Sequence, residues 1–335
     1  RPFAFPADHG PHLGFQTEWW YYTGNLESEN GRRFGYQLTF FRRALKPPPE
    51  QSERESNWAT EQVYMAHFAL TDVGGNEHQA FERFSRGAAG LAGAKSPPFR
   101  IWLEDWQVEQ VGDDPDVIDL YASQEDVAID LQLIDRKGLT LQGDRGYSQK
   151  GPDPGNASYY YSQTRLRTSG MVQVGEQAYS VGGWSWMDHE FSTSALAPDQ
   201  IGWDWFALQL DEGSELMVFQ IRKGDGTIDA FSSGTLIGPD GEKRHLSLHD
   251  FDIDVKSTWR SPHTGVSYPS RWTVQVPGAA LALDIEPYLA DQELNLSYAY
   301  WEGAVQFEGQ RAGKPVAGEG YVEMTGYAGS MQEQF

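Results

Sequence analysis

The run Trp184, Ser185, Trp186, Met187, Asp188, His189, Glu190, Phe191 concentrates two carboxylates and an imidazole among tryptophans. Side chains two apart share a face of a strand, so Trp184, Trp186, Asp188 and Glu190 project one way and Met187, His189 and Phe191 the other. Inside an aromatic cavity, desolvation moves a carboxyl or an imidazole toward neutrality, where either can give or take a proton. A second run, Glu18, Trp19, Trp20, Tyr21, Tyr22, puts Glu18, Trp20 and Tyr22 on one face and Trp19 and Tyr21 on the other. A carboxylate beside two large rings is costly unless it has a partner or lines a cavity. Asp188, His189 and Glu18 are therefore the candidate acid–base groups. The plainer readings are an Asp188 that caps a loop beside a half-exposed His189, and a Glu18 at a barrel mouth with tryptophan as the plug. His67 lies among Met65, Ala66 and Phe68, where a lone histidine is more often a hydrogen-bonded core residue.

Other chemistries lack support. Ser185 is flanked by Gly183 and Met187, so no nucleophile elbow surrounds it, and no phosphate-binding or dinucleotide motif joins a strand to a helix. His9 and His12 fall in a Pro/Gly-containing terminal segment, and His245 with His249 lie on an alternating stretch, so no metal and no cofactor are expected. A glycosidase pair, Asp188 with Glu190 or Asp204, would need carboxyls roughly 5 to 10 Å apart along a groove.

The elements that must position these residues are strands. Phe34, Tyr36, Leu38 and Phe40 alternate with polar or small residues, Leu131 and Leu133 turn at Lys137 and Gly138 into Leu139 and Leu141, and similar hairpins recur along the chain. The 36 Gly and 18 Pro supply the turns, with helix expected only as single turns, such as Leu289 to Glu293. Lys46 to Asn57 reads as a long polar loop and Ser192 to Gly202 as an interdomain connection. Gly183 to Met187 matches Gly320 to Met324, and Glu18-Trp19-Trp20 matches Asp204-Trp205-Phe206, so opening and closing strands occur twice. The chain is read as all-β, two antiparallel barrels in tandem, with domains at 1–194 and 195–335.

In 335 residues, 48 Asp and Glu stand against 26 Lys and Arg, a net charge of −22 that excludes phosphate-backbone and anionic-lipid tracking. No nucleic-acid partner is expected. No apolar run reaches the roughly 18 residues of a spanning helix. The absence of Cys excludes disulfides and thiolate chemistry, while 12 Trp, 16 Tyr and 17 Phe make the chain too aromatic for disorder.

Phe15 to Leu26 (FQTEWWYYTGNL), Met65 to Asp72 (MAHFALTD) and Trp186 to Phe191 (WMDHEF) closely resemble the AttH-like branch of the carotenoid 1,2-hydratase (CrtC) superfamily. Tyr300 to Gly303 and Gly320 to Tyr327 resemble that family's second lipocalin-like domain. The resemblance implies two lipocalin-like, calycin-type barrels and an exported bacterial protein, periplasmic or envelope-associated, of the kind labelled a secreted hydrolase. The hydratase branch reads D-H-N-W at its site strand. Asp188 and His189 match it, Phe191 stands in place of the tryptophan, and Phe219 and Ile221 fall where a later tyrosine and aspartate would. Hydration would protonate an isolated C=C, hold a carbocation against aromatic faces and deliver water. The leading expectation is a protein that binds an elongated hydrophobic, isoprenoid or lipid ligand, with hydratase or hydrolase chemistry at Asp188, His189 and Glu18. Trp20, Tyr22, His67, Trp184, Trp186, Phe191, Trp203, Trp205 and Phe219 are the expected ligand contacts. The alternative is a non-catalytic carrier or accessory factor of an envelope ABC-type transporter.

Overall fold

The computed structural model describes residues 1–46, 61–153, 155–193 and 196–331. The polar loop read at Lys46 to Asn57 falls, from 47 on, outside the described residues, as does the expected domain boundary at 194/195. Single 3-10 turns occur at Ala7–His9, Leu248–Asp250 and Pro277–Ala279. The helical turn expected at Leu289 to Glu293 does not form. There the Leu289 and Ala290 carbonyls accept side-chain hydrogen bonds from Gln292 and Trp301, and Glu293 opens a strand.

The first sheet contains β1 (Thr17–Ser28), β2 (Arg33–Ala44), β3 (Gln62–Asp72), β4 (Glu77–Arg86), β5 (Ala92–Lys95), β6 (Arg100–Leu103) and β7 (Trp106–Gln110). It continues through β8 (Val117–Gln124), β9 (Val127–Asp135), β10 (Leu139–Leu141), β11 (Tyr147–Gln149), β12 (Ala157–Val174) and β13 (Gln177–Ser192). Its order is β4, β3, β2, β1, β13, β12, β9, β8, β7, β6, β5, with β10 and β11 beside β12. The second sheet holds β14 (Gln200–Leu210), β15 (Glu215–Lys223), β16 (Ser233–Ile237), β17 (Lys243–Ser247) and β18 (Asp252–Arg260). It is completed by β19 (Ser267–Val276), β20 (Leu281–Pro287), β21 (Glu293–Asn295), β22 (Ala299–Arg311) and β23 (Lys314–Met324). Its order is β17, β16, β15, β14, β23, β22, β20, β19, β18, with β21 beside β22. Both sheets are antiparallel and curl toward closure, the tandem lipocalin-like architecture that the alternation and the resemblance imply. In each, the opening strand pairs with the closing one, β1 with β13 and β14 with β23.

Alternation fills both sides of these central strands. Trp20, Tyr22 and Leu26 of β1 join Phe34, Tyr36, Leu38 and Phe40 of β2 in the first core. Phe206, Leu208 and Leu210 of β14 join Trp272, Trp301 and Phe307 in the second. The opposite faces pack sheet against sheet in a third cluster that includes Tyr21, Tyr160, Trp186, Trp205, Phe219, Ala304 and Tyr321. A strand buried on both faces has no solvent side to show, and this is why β1 carries Trp19, Trp20, Tyr21 and Tyr22 in succession. Polar links join the sheets as well. Asn25 Nδ2 donates to Gly320 O at 3.0 Å, and Gln209 Nε2 donates to Thr164 O at 2.7 Å and Ser185 O at 3.0 Å.

Candidate active site between the two sheets

Asp188 and His189 are chain neighbours on opposite sides of β13, and the structure gives them separate surroundings. His189 points into the first core. Its Nε2 lies 2.8 Å from Glu18 Oε1, its Nδ1 lies 3.0 Å from the Tyr161 hydroxyl, and its ring stacks on Trp20 with centroids 4.7 Å apart. The N-terminal segment closes over this pair: His12 Nδ1 sits 2.6 Å from Glu18 Oε1, and the His12 backbone N–H donates to Oε2 at 2.9 Å. Arg42 Nε donates to the same Oε2 at 2.8 Å. Burial alone would raise the Glu18 carboxyl, but the hydrogen bonds from His12 and His189, together with the positive Arg42, hold it at about 2. Burial keeps His189 below the ordinary imidazole value. Glu18 is therefore a fixed, paired anion.

The ligand-capable atoms of His12, Glu18 and His189 lie within 4.8 Å of one another, so this is where a metal could be held among the described residues. The donor set argues for a hydrogen-bonded cluster instead. Both imidazoles already converge on one carboxylate oxygen and Arg42 occupies the other, so a divalent ion would face a guanidinium across a single carboxylate.

Asp188 faces the second sheet. Its Oδ1 accepts from Ser162 Oγ at 2.5 Å and Trp186 Nε1 at 2.7 Å, and its Oδ2 accepts from the Tyr160 hydroxyl at 2.6 Å. Burial raises this carboxyl against those three donors, and the balance leaves it at about 7. Beside it a partly enclosed cavity of about 80 Å³ opens between the sheets, lined by Trp19, Tyr21, Phe41, Lys150, Asp188, Glu190, Trp203, Trp205, Phe219, Tyr298, Tyr300, Glu302 and Glu323, among others. On the scale where one water needs roughly 15 Å³, this holds several waters or part of a ligand.

Two further carboxyls come from the second sheet. Glu323 on β23 is raised to about 8 by burial and by the negative charges of Glu190 and Asp188, against a hydrogen bond from Trp203. Glu302 on β22 is pushed well above the carboxylate range by burial and by Glu323. It is 1% exposed, and its Oε1 has no hydrogen-bond partner among the described residues, nor does the Tyr21 hydroxyl that faces it. Lys150 Nζ is 3.7 Å from Glu190 and 4.0 Å from the centroid of the Phe219 ring it covers. The chemical content is one carboxyl poised at neutrality and two that stay protonated, in an aromatic cavity, the pattern that separates a proton acceptor from proton donors.

The structure brings Glu18 and His189 together and keeps Asp188 on the other side of β13. Of the expected contacts, Trp203, Trp205 and Phe219 line the cavity, and Trp186 reaches it through Asp188 and packs edge-on against Trp205. Trp20 and Tyr22 belong to the first core. Phe191 stacks on His12 with centroids 3.6 Å apart, near the N-terminal segment. Trp184 lies outside the cavity, 37% exposed, with the Arg165 guanidinium over its ring. His67 sits behind the cavity wall, hydrogen-bonded to the lining residue Tyr300. Asp204, weighed as a second glycosidase carboxylate, instead pairs with Arg222 at 3.2 Å and does not line the cavity. Glu302 and Glu323 went unrecognised in the sequence, and His12, weighed there only as a metal ligand, was not placed beside Glu18. Alternation opposite Trp301 and Val322 carried the signal for the two glutamates, whereas nothing periodic marked His12.

The AttH-like family model matches residues 1–327. A crystal structure described as an AttH from Nitrosomonas europaea is similar at 35% identity and a TM-score of 0.86, covering 98% of both chains. Kievitone hydratase from Nectria haematococca shares the fold at 18% identity and a TM-score of 0.72, covering 97% of this chain and 94% of that one. CghA, solved with Sch210972, shares it at 11% identity and a TM-score of 0.56, covering 92% of this chain and 88% of that one. No curated protein matches the chain.

Proposed function

The chain belongs to the AttH-like family, and on that premise we propose that it is an acid–base enzyme of the hydratase type, acting on an apolar, isoprenoid-like alkene held between its two sheets. The observation that carries the reading is the single cavity shared by Asp188, poised at about 7, and the raised carboxyls Glu302 and Glu323. The fold shared with a protein named as a hydratase supports the reaction class.

In this reading the Glu302 O–H bond breaks as its proton bonds to one alkene carbon, using the π electron pair. The neighbouring carbon becomes a cation, faced by the Trp19, Trp203 and Trp205 rings, whose quadrupoles favour positive charge. Water bonds to that carbon and gives its second proton to the Asp188 carboxylate. One water is added, and no oxidant or reductant is needed. Export to the periplasm or envelope belongs to the same proposal, supported by the family resemblance of the EWWYYTGNL run.

The test is incubation of the protein with a panel of prenylated and polyene alkenes in ¹⁸O-labelled water, with mass spectrometry of the recovered ligand. The wild type is expected to incorporate one labelled oxygen, and Asp188→Asn and Glu302→Gln are each expected to lose roughly 10² or more in rate while retaining ligand. Bound ligand without incorporation by the wild type would establish the non-catalytic carrier instead. Unchanged rates in both variants would remove these carboxyls from the mechanism.

A further inference from the structure

Behind the cavity wall a chain of hydrogen-bonding groups runs from the protein surface to Glu302. Glu82 on β4 has a side chain 14% exposed, and its Oε1 lies 3.1 Å from Nε2 of the fully buried His67 on β3. His67 Nδ1 lies 2.7 Å from the hydroxyl of Tyr300 on β22, so the contact crosses from the first sheet to the second. Tyr300 lines the cavity, and it shares a strand face with Glu302 two residues on. Its hydroxyl and the Glu302 carboxyl both line the cavity, and the hydrogen bond between them is the one link of the chain that the structure does not already make. The chain is braced at both ends. Ser297 Oγ donates to Glu82 Oε1 at 2.6 Å, and the Tyr298 and Tyr300 rings flank the His67 imidazole at 5.4 and 5.7 Å.

We propose that Glu82, His67 and Tyr300 form a proton relay that connects solvent with Glu302, His67 and Tyr300 acting as positioning residues for the cavity acid. The proposal rests on the acid–base reading of that cavity. The step balances as a single shift. With Glu302 ionised, Tyr300 O–H donates to it, His67 Nδ1–H donates to the Tyr300 oxygen, and His67 Nε2 accepts from Glu82 that has taken a proton from water. The tyrosine proton moves to Glu302, the Nδ1 proton to Tyr300 and the Glu82 proton to Nε2. Three bonds to hydrogen break and three form, with no change of oxidation state, and one proton has passed from Glu82 to Glu302. Burial favours a neutral imidazole at His67, the form that can accept at one nitrogen while donating at the other. The arrangement also gives His67 a reason to be polar in an apolar stretch. It sits where the two sheets meet, and it serves a group on the other sheet.

The relay is tested without any substrate, on the full chain, by infrared spectroscopy after rapid mixing into D₂O. A protonated buried carboxyl has a C=O stretch that shifts when its hydrogen is replaced by deuterium, and the part of that band missing in Glu302→Gln belongs to Glu302. In the wild type the Glu302 band is expected to shift quickly. In Glu82→Gln and in His67→Phe, each checked by circular dichroism for a native fold, the shift is expected to slow by about tenfold or more. Glu82→Asp, which restores a carboxyl, is expected to recover it. Two variants are used because His67→Phe leaves the Tyr300 hydroxyl without its partner, whereas Glu82→Gln alters only the surface end. Wild-type exchange in both folded variants would overturn the relay. Absence of any Glu302 band at neutral pH would instead overturn the reading of the cavity as an acid site.

Discussion

Asp188 and His189 differ by one residue and by the whole thickness of a sheet, and the energetics of the two positions differ accordingly. Glu18 is the shared acceptor for His189, His12 and Arg42. Glu18→Gln removes the negative charge and leaves Arg42 buried against a neutral amide. Breaking one partner of a buried pair costs about 3 to 5 kcal/mol, and the expected result is a large fall in the denaturant midpoint. Asp188→Asn is milder. An asparagine oxygen still accepts from Ser162 and Trp186, and the amide N–H₂ faces a Tyr160 hydroxyl that can turn to accept. Its expected cost is about 1 kcal/mol, the scale of one rearranged hydrogen bond. Urea unfolding of the two variants side by side decides the matter, and equal midpoints would show that the N-terminal cluster carries no special stability.

At the scale of elements, alternation along β1 and β13 was enough to sort Glu18, Trp20 and Tyr22 from Trp19 and Tyr21, and Asp188 from His189. What alternation cannot supply is the identity of the surface each face meets. Glu302 and Glu323 alternate with core residues of β22 and β23 as legibly as Asp188 does, yet only the packing of the second sheet on the first turns their face into a cavity wall. His12 was beyond reach for another reason: the terminal segment that carries it has no period, and it returns to Glu18 through a 3-10 turn. Elements that join the sheets should therefore matter more than their exposure implies. The bulge in β12 between Gln163 and Leu166 aims Arg165 at Glu215 of β15, which also accepts from Lys137 Nζ at 2.6 Å. Glu215→Gln strands two cations beside a buried amide, and about 3 to 5 kcal/mol of destabilisation is expected by thermal or urea unfolding. Gly35 tests steric fit at the same junction. A Cβ there would meet the Ala304 Cβ at 2.6 Å, so Gly35→Val is expected to cost about 1 to 3 kcal/mol and to open the cavity, read as increased quenching of tryptophan fluorescence by acrylamide. A change below about 0.5 kcal/mol, or unaltered quenching, would show that the sheets slide apart freely at this point.

Over the whole molecule, two sets of buried groups act in opposite directions on stability as pH changes. His9 and His78 are held down to about 4, and His67 and His189 are also lowered, each with burial as the leading cause. Unfolding frees these imidazoles to take protons below about pH 6.5, so they make stability rise with pH through the window from about 4 to 6.5. Glu18 and Asp8, each held at about 2, add to the loss in stronger acid, where the unfolded chain takes up protons that the folded one refuses. The cavity carboxyls work the other way. Asp188 at about 7, Glu323 at about 8 and the still higher Glu302 keep protons that an unfolded carboxylate releases near pH 4. Their contribution is fully present below the unfolded value and is lost as pH rises through the folded values, by roughly 1 kcal/mol per pH unit for each group still protonated in the fold. Between about pH 4 and 6.5 the histidines offset this loss; above about 6.5 they no longer titrate and the carboxyls stand alone. The melting temperature is therefore expected to peak near pH 6 to 7 and to fall on the way to pH 8. In the triple variant Asp188→Asn, Glu302→Gln, Glu323→Gln the alkaline fall should flatten and the rise between about pH 4 and 6.5 should steepen, because the histidines remain and the carboxyl loss that offset them is gone. Calorimetry across pH 4 to 9 distinguishes this from simple repulsion among the chain's 22 excess negative charges, which would leave the alkaline slope of the triple variant unchanged.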